Sequence, residues 1–379
     1  MTEEPIKEEA EMIEGLDKDE DASLGDYPLD TVLIRNEIRT VHDVLRRIEK
    51  DSFVMNPEFQ RDFIWQDDKQ SKLIESVLMR IPLPVFYLAE DEQGRMVVVD
   101  GLQRLSTFQR FVNNKLALKL PKQKVLDKQR FKDLSPKLQN RIEDCNLILY
   151  VIDVKVPDRA RLDIFERVNG GEPLTRQQMR NCLYMGKATS FLKTEASTGL
   201  FIKATGNSLK ITTMRDREFV NRFCAFKLLP IEEYKGDMDD FLAQALTIMN
   251  GEGKEKWGGL IKKLGNIDLL LKRLSIEFRT SLANNYKVFG IHSFRKSIAD
   301  SSAGRKVINA SIWDVMSTGL SRYSENIVEA KSKELFNSVS NLLYDEDFIR
   351  SITIGTNEVE KVKTRFSMAN AMFKEVFND

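Results

Sequence analysis

The chain has 379 residues, with 58 basic and 58 acidic side chains, a net charge of zero and 42% hydrophobic residues. That hydrophobic share supports a sizeable core and the length suits two domains, while the longest purely apolar run, LILYVI at 147–152, is too short to cross a membrane. Two histidines (His42 and His292) and three widely spaced cysteines (Cys145, Cys182 and Cys224) exclude a histidine-rich metal site, a Ser-His-Asp triad and a disulfide framework, and fit a cytoplasmic protein.

The charge is unevenly spread. Residues 1–30 carry 12 acids and 2 lysines, so the rest of the chain is net basic by ten. An acidic run with almost no aromatics cannot bury enough surface to fold alone, and residues 1–29 read as a disordered tail. Such a tail either shields a basic surface or only solubilises the chain. Its acidity is the reverse of a secretory leader.

In chain order, Thr40 begins a helix with Asp43 at the capping-box position and Val44, Leu45 and Ile48 on one face. A short strand near 53–55 follows, then the segment NPEFQRDFIWQ at 56–66. Asp67 or Asp68 caps a second helix, which the prolines of IPLP at 81–84 end. VFYLAE (85–90) and RMVVVD (95–100) read as two strands joined by the turn DEQG. Residues 114–145 are irregular and lysine-rich, with a helix around 136–143, and NLILYVIDV at 146–154 is a buried strand. A helix over 158–168 leads to the Asn169-Gly170-Gly171 turn, and Thr175 caps the next helix. From about 185 the pattern is helical, over 215–229, 237–250, 258–286, 310–346 and 358–377, with loops such as GNIDL and GTNE. The expected architecture is α+β: a small mixed-sheet domain over 30–184, then an all-helical domain over 185–379. There is no Walker-A loop and no G-x-G-x-x-G fingerprint.

The most informative segment is VVVDGLQRLSTFQRF, at 97–111. A strand ends on Asp100 and Gly101, and a helical pattern opens at once. Such a corner points free backbone N–H groups and the positive end of a helix dipole outward, which suits phosphate. Arg104 adds a charged fork, and a carboxylate beside phosphates points to a metal ion or a positioned water. Asp-Gly followed by a helix is equally ordinary turn-and-cap chemistry. Two further segments are candidates for the same ligand. Gln60 and Arg61 sit among Phe59, Phe63 and Trp65, which fits either a nucleotide pocket or a core edge. Arg167, Asn169 and Gly170 lie in FERVNGGEPLTRQQMRN, where adjacent glycines let backbone approach a ligand or simply turn between helices. A weaker candidate is ITIGTNEVEKVKTRF, with Thr356, Asn357 and Arg365.

Together PEFQRDFIW (57–65), IPLPVFYL (81–88), VVDGLQRLSTF (98–108), FERVNGGEPLTRQQMRN (165–181) and GTN…V…RF (355–366) resemble the N-terminal domain family of GmrSD-type restriction proteins. The resemblance implies a ParB/sulfiredoxin-like fold and nucleoside-triphosphate binding and hydrolysis in bacterial defence against foreign DNA, centred on an Asp-Gly-Gln-Gln-Arg motif. Here that motif is Asp100, Gly101, Leu102, Gln103 and Arg104, with leucine in place of the first glutamine. Gln178 stands where glutamate is expected. The histidine-dependent nuclease domain that family members append has no counterpart among two histidines.

The expected activity is Mg2+-dependent hydrolysis of a nucleoside triphosphate. Asp100 would hold the metal ion, Asp100, Gln103 and Arg104 would be catalytic, and Gln60, Arg61, Gly101, Arg167, Asn169 and Gly170 would bind the nucleotide. DNA, a separate effector subunit and a second copy of the chain are the other candidate partners. The alternatives are a nucleotide or DNA sensor without turnover, motivated by Leu102, and a metal-dependent nuclease on the same fold.

Overall fold

The computed structural model describes residues 13–15, 34–55, 65–91, 93–156, 160–161, 164, 175–300, 302 and 304–378. The chain forms two compact units, Ala22–Leu183 and Met1–Asp21 together with Tyr184–Asp379. The architecture is α+β, with one five-stranded mixed sheet followed by a mostly helical region.

In the first unit, β1 (Ile34–Thr40), β2 (Phe53–Val54), β3 (Phe86–Glu90), β4 (Met96–Asp100) and β5 (Asn146–Ile152) form a sheet of order β1-β5-β3-β4-β2. Its β1/β5 and β3/β4 pairs are antiparallel, and its β5/β3 and β4/β2 pairs are parallel. Strand residues alternate between two cores, as the two-residue period requires. Phe86, Leu88, Val98, Leu147, Leu149 and Val151 pack with α1 (Val41–Glu49), α2 (Asp67–Leu78), α3 (Leu102–Val112) and α4 (Pro136–Glu143). Ala89, Val99 and Ile152 face a smaller cluster that includes Met179 of α5 (Arg176–Leu183).

Local chemistry fixes these elements. Thr40 caps α1, its hydroxyl accepting from the Asp43 N–H at 3.2 Å. Helix α2 instead has Gln66 at its N-cap, with no side-chain cap, so neither Asp67 nor Asp68 is the cap residue; both lie in the first turn. There their charge favours the helix dipole without a cap hydrogen bond. The β3–β4 turn closes through the Asp91 carboxylate, which accepts from the N–H groups of Gln93 and Arg95. Asp43 also gathers Arg39, Arg46 and Arg47 within 3.1 Å.

In the second unit, sequence periodicity runs across breaks that the chain makes. The stretch expected as one helix over 258–286 is α10 (Lys254–Leu264) and α11 (Ile267–Phe289), after α6 (Lys187–Ala196), α7 (Gly199–Thr205), α8 (Arg215–Leu228) and α9 (Met238–Asn250). Gly265 leaves helical space at φ 78, ψ −127, and the Asn266 side chain caps α11 by accepting from the Asp268 N–H. The stretch over 310–346 is α12 (Ala310–Leu320), α13 (Glu325–Ala330) and α14 (Ser332–Leu342); α15 (Glu346–Ser351) and α16 (Val359–Phe377) follow.

Trp313 centres this core. Its indole N–H donates to the Phe219 carbonyl at 2.9 Å, and Phe201, Phe219, Phe278 and Phe294 surround its ring. Beside it Asp314 receives Arg222 bidentately at 2.8 and 2.6 Å, and Arg365 at 3.1 Å. All three side chains are buried. Within the acidic N-terminal stretch, Ile13–Gly15 depart from the unfolded reading. The Glu14 N–H donates to the Ile308 carbonyl, the Ala310 N–H donates to the Glu14 carbonyl, and the Thr356 hydroxyl donates to the Gly15 carbonyl.

Two stability outcomes follow from these charges. Asp314→Ala leaves two buried guanidinium groups uncompensated and is expected to lower unfolding free energy by about 3–5 kcal/mol, read by chemical denaturation. The Asp43 carboxyl is held well below the usual carboxylate range by its arginines, Arg46 first. A depressed folded pKa stabilises above the unfolded value, so wild type should exceed Asp43→Asn by about 1 kcal/mol at pH 7. That margin should fade as pH falls below about 4, the ordinary carboxylate range.

Candidate functional site

Strand β4 ends on Asp100, and Gly101 turns the chain into α3 at φ 98, ψ 6. A side chain is strained at that φ, and a Cβ there would lie 2.2 Å from the Phe86 ring. The corner is therefore glycine for two independent reasons. Tyr87 pairs with Asp100 across the β3–β4 register, which brings the entrance of β3 under the turn.

Among the described residues no side chain caps α3, and no acidic residue lies in its first turn. The Leu105 N–H makes the first intrahelical bond, to the Gly101 carbonyl, so the preceding amides have no partner within the helix. Asp100 does not act as the cap. One of its oxygens, Oδ2, accepts from Arg104 Nη2 at 2.7 Å, with the carboxylate side chain about a third exposed.

Arg104 is mostly buried, at 8% exposure. Its Nη1 donates to the Pro84 carbonyl, its Nη2 to the Val85 carbonyl at 3.0 Å, and its guanidinium lies 4.1 Å over the Phe86 ring. Burial pushes its pKa below the ordinary arginine value, and Asp100 opposes that shift. This arginine braces the corner and holds Asp100 in place. Gln103 Oε1 accepts from the Trp65 N–H at 3.1 Å, which fixes the amide so that its NH2 is the group left to donate. Leu102 packs at the edge of the larger core.

The structure thus brings Asp100, Gly101, Gln103 and Arg104 together on one turn. Gln60, Arg61, Arg167, Asn169 and Gly170 lie outside the described residues. Gln178 has a local reason for its identity: its side chain accepts from the Thr175 N–H at 2.7 Å, while the Thr175 hydroxyl accepts from the Gln178 N–H. That reciprocal capping box takes glutamine or glutamate alike. Arg365 does not belong to a ligand site, because Asp314 and the Thr356 carbonyl engage it in the interior of the helical unit. The partners that sequence reasoning missed are Pro84, Val85 and Phe86. IPLP signals only the end of a helix, and nothing in it announces two carbonyls for an arginine twenty residues on.

Among the described residues there is no cluster of three or more His, Cys, Asp or Glu side chains able to hold a metal ion. The open oxygen of Asp100 suits an ion that keeps most of its ligands on phosphate and water, as Mg2+ does.

No curated protein and no solved structure matches the chain. Residues 41–185 match the family described as GmrSD restriction endonuclease, N-terminal domain. The match spans α1 to α5 and contains the whole corner. Over residues 41–185 the chain is therefore similar to the GmrSD restriction endonuclease N-terminal domain family.

Proposed function

We propose that the chain serves a restriction-type defence system and that its Asp100–Arg104 corner binds and hydrolyses a nucleoside triphosphate. The observation that carries this reading is the uncapped N-terminus of α3, whose first amides have no intrahelical partner after a glycine turn, with a carboxylate beside them. Backbone N–H groups at a helix start bind phosphate through both hydrogen bonds and the dipole.

The roles follow from the bonds each side chain has already made. The amides after Gly101 cradle phosphate oxygens. Gln103 offers its NH2 to a phosphate oxygen or to the attacking water, because Trp65 fixes its carbonyl end. Asp100 Oδ1 orients water toward the terminal phosphorus; the oxygen of that water bonds to phosphorus as the bridging P–O bond breaks, the nucleoside diphosphate leaves and the water's proton passes to solvent. Arg104 is a positioning residue, fixing Asp100 through Oδ2 and tying the corner to the Pro84–Val85 backbone. Asp100 would be the residue that holds Mg2+, and the ion would supply neutralisation of phosphate charge and the water that Asp100 orients. The nucleotide state would pass to DNA or to a separate effector subunit.

The test is phosphate release from a panel of nucleoside triphosphates with Mg2+. Wild type should turn over at least one of them, and Asp100→Asn should lose about 100-fold or more in kcat with its melting temperature retained. Gln103→Ala should lose roughly 10-fold or more, on the same grounds. Nucleotide binding without release in wild type, with or without DNA, would replace hydrolysis by sensing. Gly101→Ala should destabilise the first unit by roughly 2 kcal/mol or more, because the clash falls on a fully buried ring. Thermal unfolding monitored by circular dichroism reads that loss.

A further inference from the structure

Next to the corner, helix α2 ends in a way that sequence economy does not explain. The Ile81 N–H donates to the Ser76 carbonyl and the Arg80 N–H to the Val77 carbonyl, the two bonds of a Schellman closure. Its left-handed position, where glycine is the least strained residue, is Arg80 at φ 60. A strained position kept by a long cation invites a functional reading.

Arg80 lines a cleft of about 510 Å3 together with Lys137, Asn140 and Arg141 and the apolar Ile81 and Leu83. Arg141 has a structural duty, since its Nη1 donates to the Leu78 carbonyl at 2.8 Å. Arg80 and Lys137 are exposed and have no ion pair or side-chain hydrogen bond among the described residues. One carboxylate, Asp144, lines the cleft, against three cations. Elsewhere in this unit the arginines of β1, α1 and the β3–β4 turn are paired with acids.

We propose that this cleft is a second site, separate from the corner, for a phosphate-bearing ligand of nucleotide size. The volume suits one such unit, and a lining that combines apolar side chains with cations suits a base and its phosphate. That unit is either a free nucleotide or one residue of a nucleic-acid strand. The cleft and the corner share a border: Leu83 lines the cleft, and the next residue, Pro84, holds Arg104 by its carbonyl. The site does not depend on hydrolysis at the corner.

Cys145 gives a local readout, since it lines the cleft and is partly exposed while Cys182 and Cys224 are buried. The experiment measures the maleimide labelling rate of Cys145 by peptide mass spectrometry in the full chain. The probes are a panel of nucleoside mono- and triphosphates in one arm and a 12-nucleotide DNA strand in the other. At saturation one arm should slow labelling several-fold in wild type and equally in Asp100→Asn. In Arg80→Ala/Lys137→Ala, folded by circular dichroism, the concentration needed for protection should rise roughly tenfold. Protection by mononucleotides assigns a small ligand, and protection by the strand alone assigns a phosphodiester backbone. For the strand, the salt dependence of its apparent affinity should also drop by about one to two counterions in the double variant. No protection by either probe, or protection unchanged in the double variant, overturns the proposal.

Discussion

The first unit depends on the face of one ring. Phe86 is fully buried and stands where a Cβ of residue 101 would otherwise lie, and the guanidinium of Arg104 stacks over the same ring. The missing side chain lets β4 turn into α3 close against β3. The stacked cation then ties that turn to the Pro84 and Val85 carbonyls and to Asp100. The unpartnered first amides of α3 and the half-free carboxylate are set by this packing, while the Trp65 N–H fixes the glutamine. A rigid backbone donor array of this kind needs no reorganisation when charge develops in front of it.

The α+β outline and the elements around the corner were legible because their periods are short and their punctuation is strong. β3, the Asp91–Gly94 turn, β4, Gly101 and α3 are all contiguous, and each is signalled by β-branched residues, a turn or a glycine. What was not legible came from distance in the chain. The break after Leu320 interrupts an apolar pattern that continues on both sides, while the break inside the GNIDL loop is fixed at one residue by the dihedrals of Gly265 and the cap of Asn266. The bond from Trp65 to Gln103 joins residues 38 apart. Arg104 reads from sequence as an anion ligand, and nothing local to it announces Phe86 beneath.

Arginine shows this most clearly. Arg104, Arg222, Arg295 and Arg365 are buried, and much of their hydrogen-bonding capacity is met by carbonyls and carboxylates. Among the described residues Arg295 has no acidic partner; its nitrogens reach the Ser293 carbonyl, the Thr205 carbonyl and the Ser208 hydroxyl, and burial pushes its pKa down to about 10. A guanidinium with five donors can stitch loops together as readily as it binds phosphate. Burial and bond count, and not residue type, separate the stitching arginines from exposed ones such as Arg80.

The Asp314 cluster draws its members from three helices, α8, α12 and α16, with Arg222 92 residues before the aspartate and Arg365 51 after it. A ribosome delivers these in order. Once α8 and α12 have emerged, Asp314 can receive one arginine, but the packing that seals it from water still lacks α16. The helical unit therefore cannot close as it is made, since its final buried charge arrives last. Until then Asp314 holds one arginine of its two, and the apolar helices of the unit are open to association.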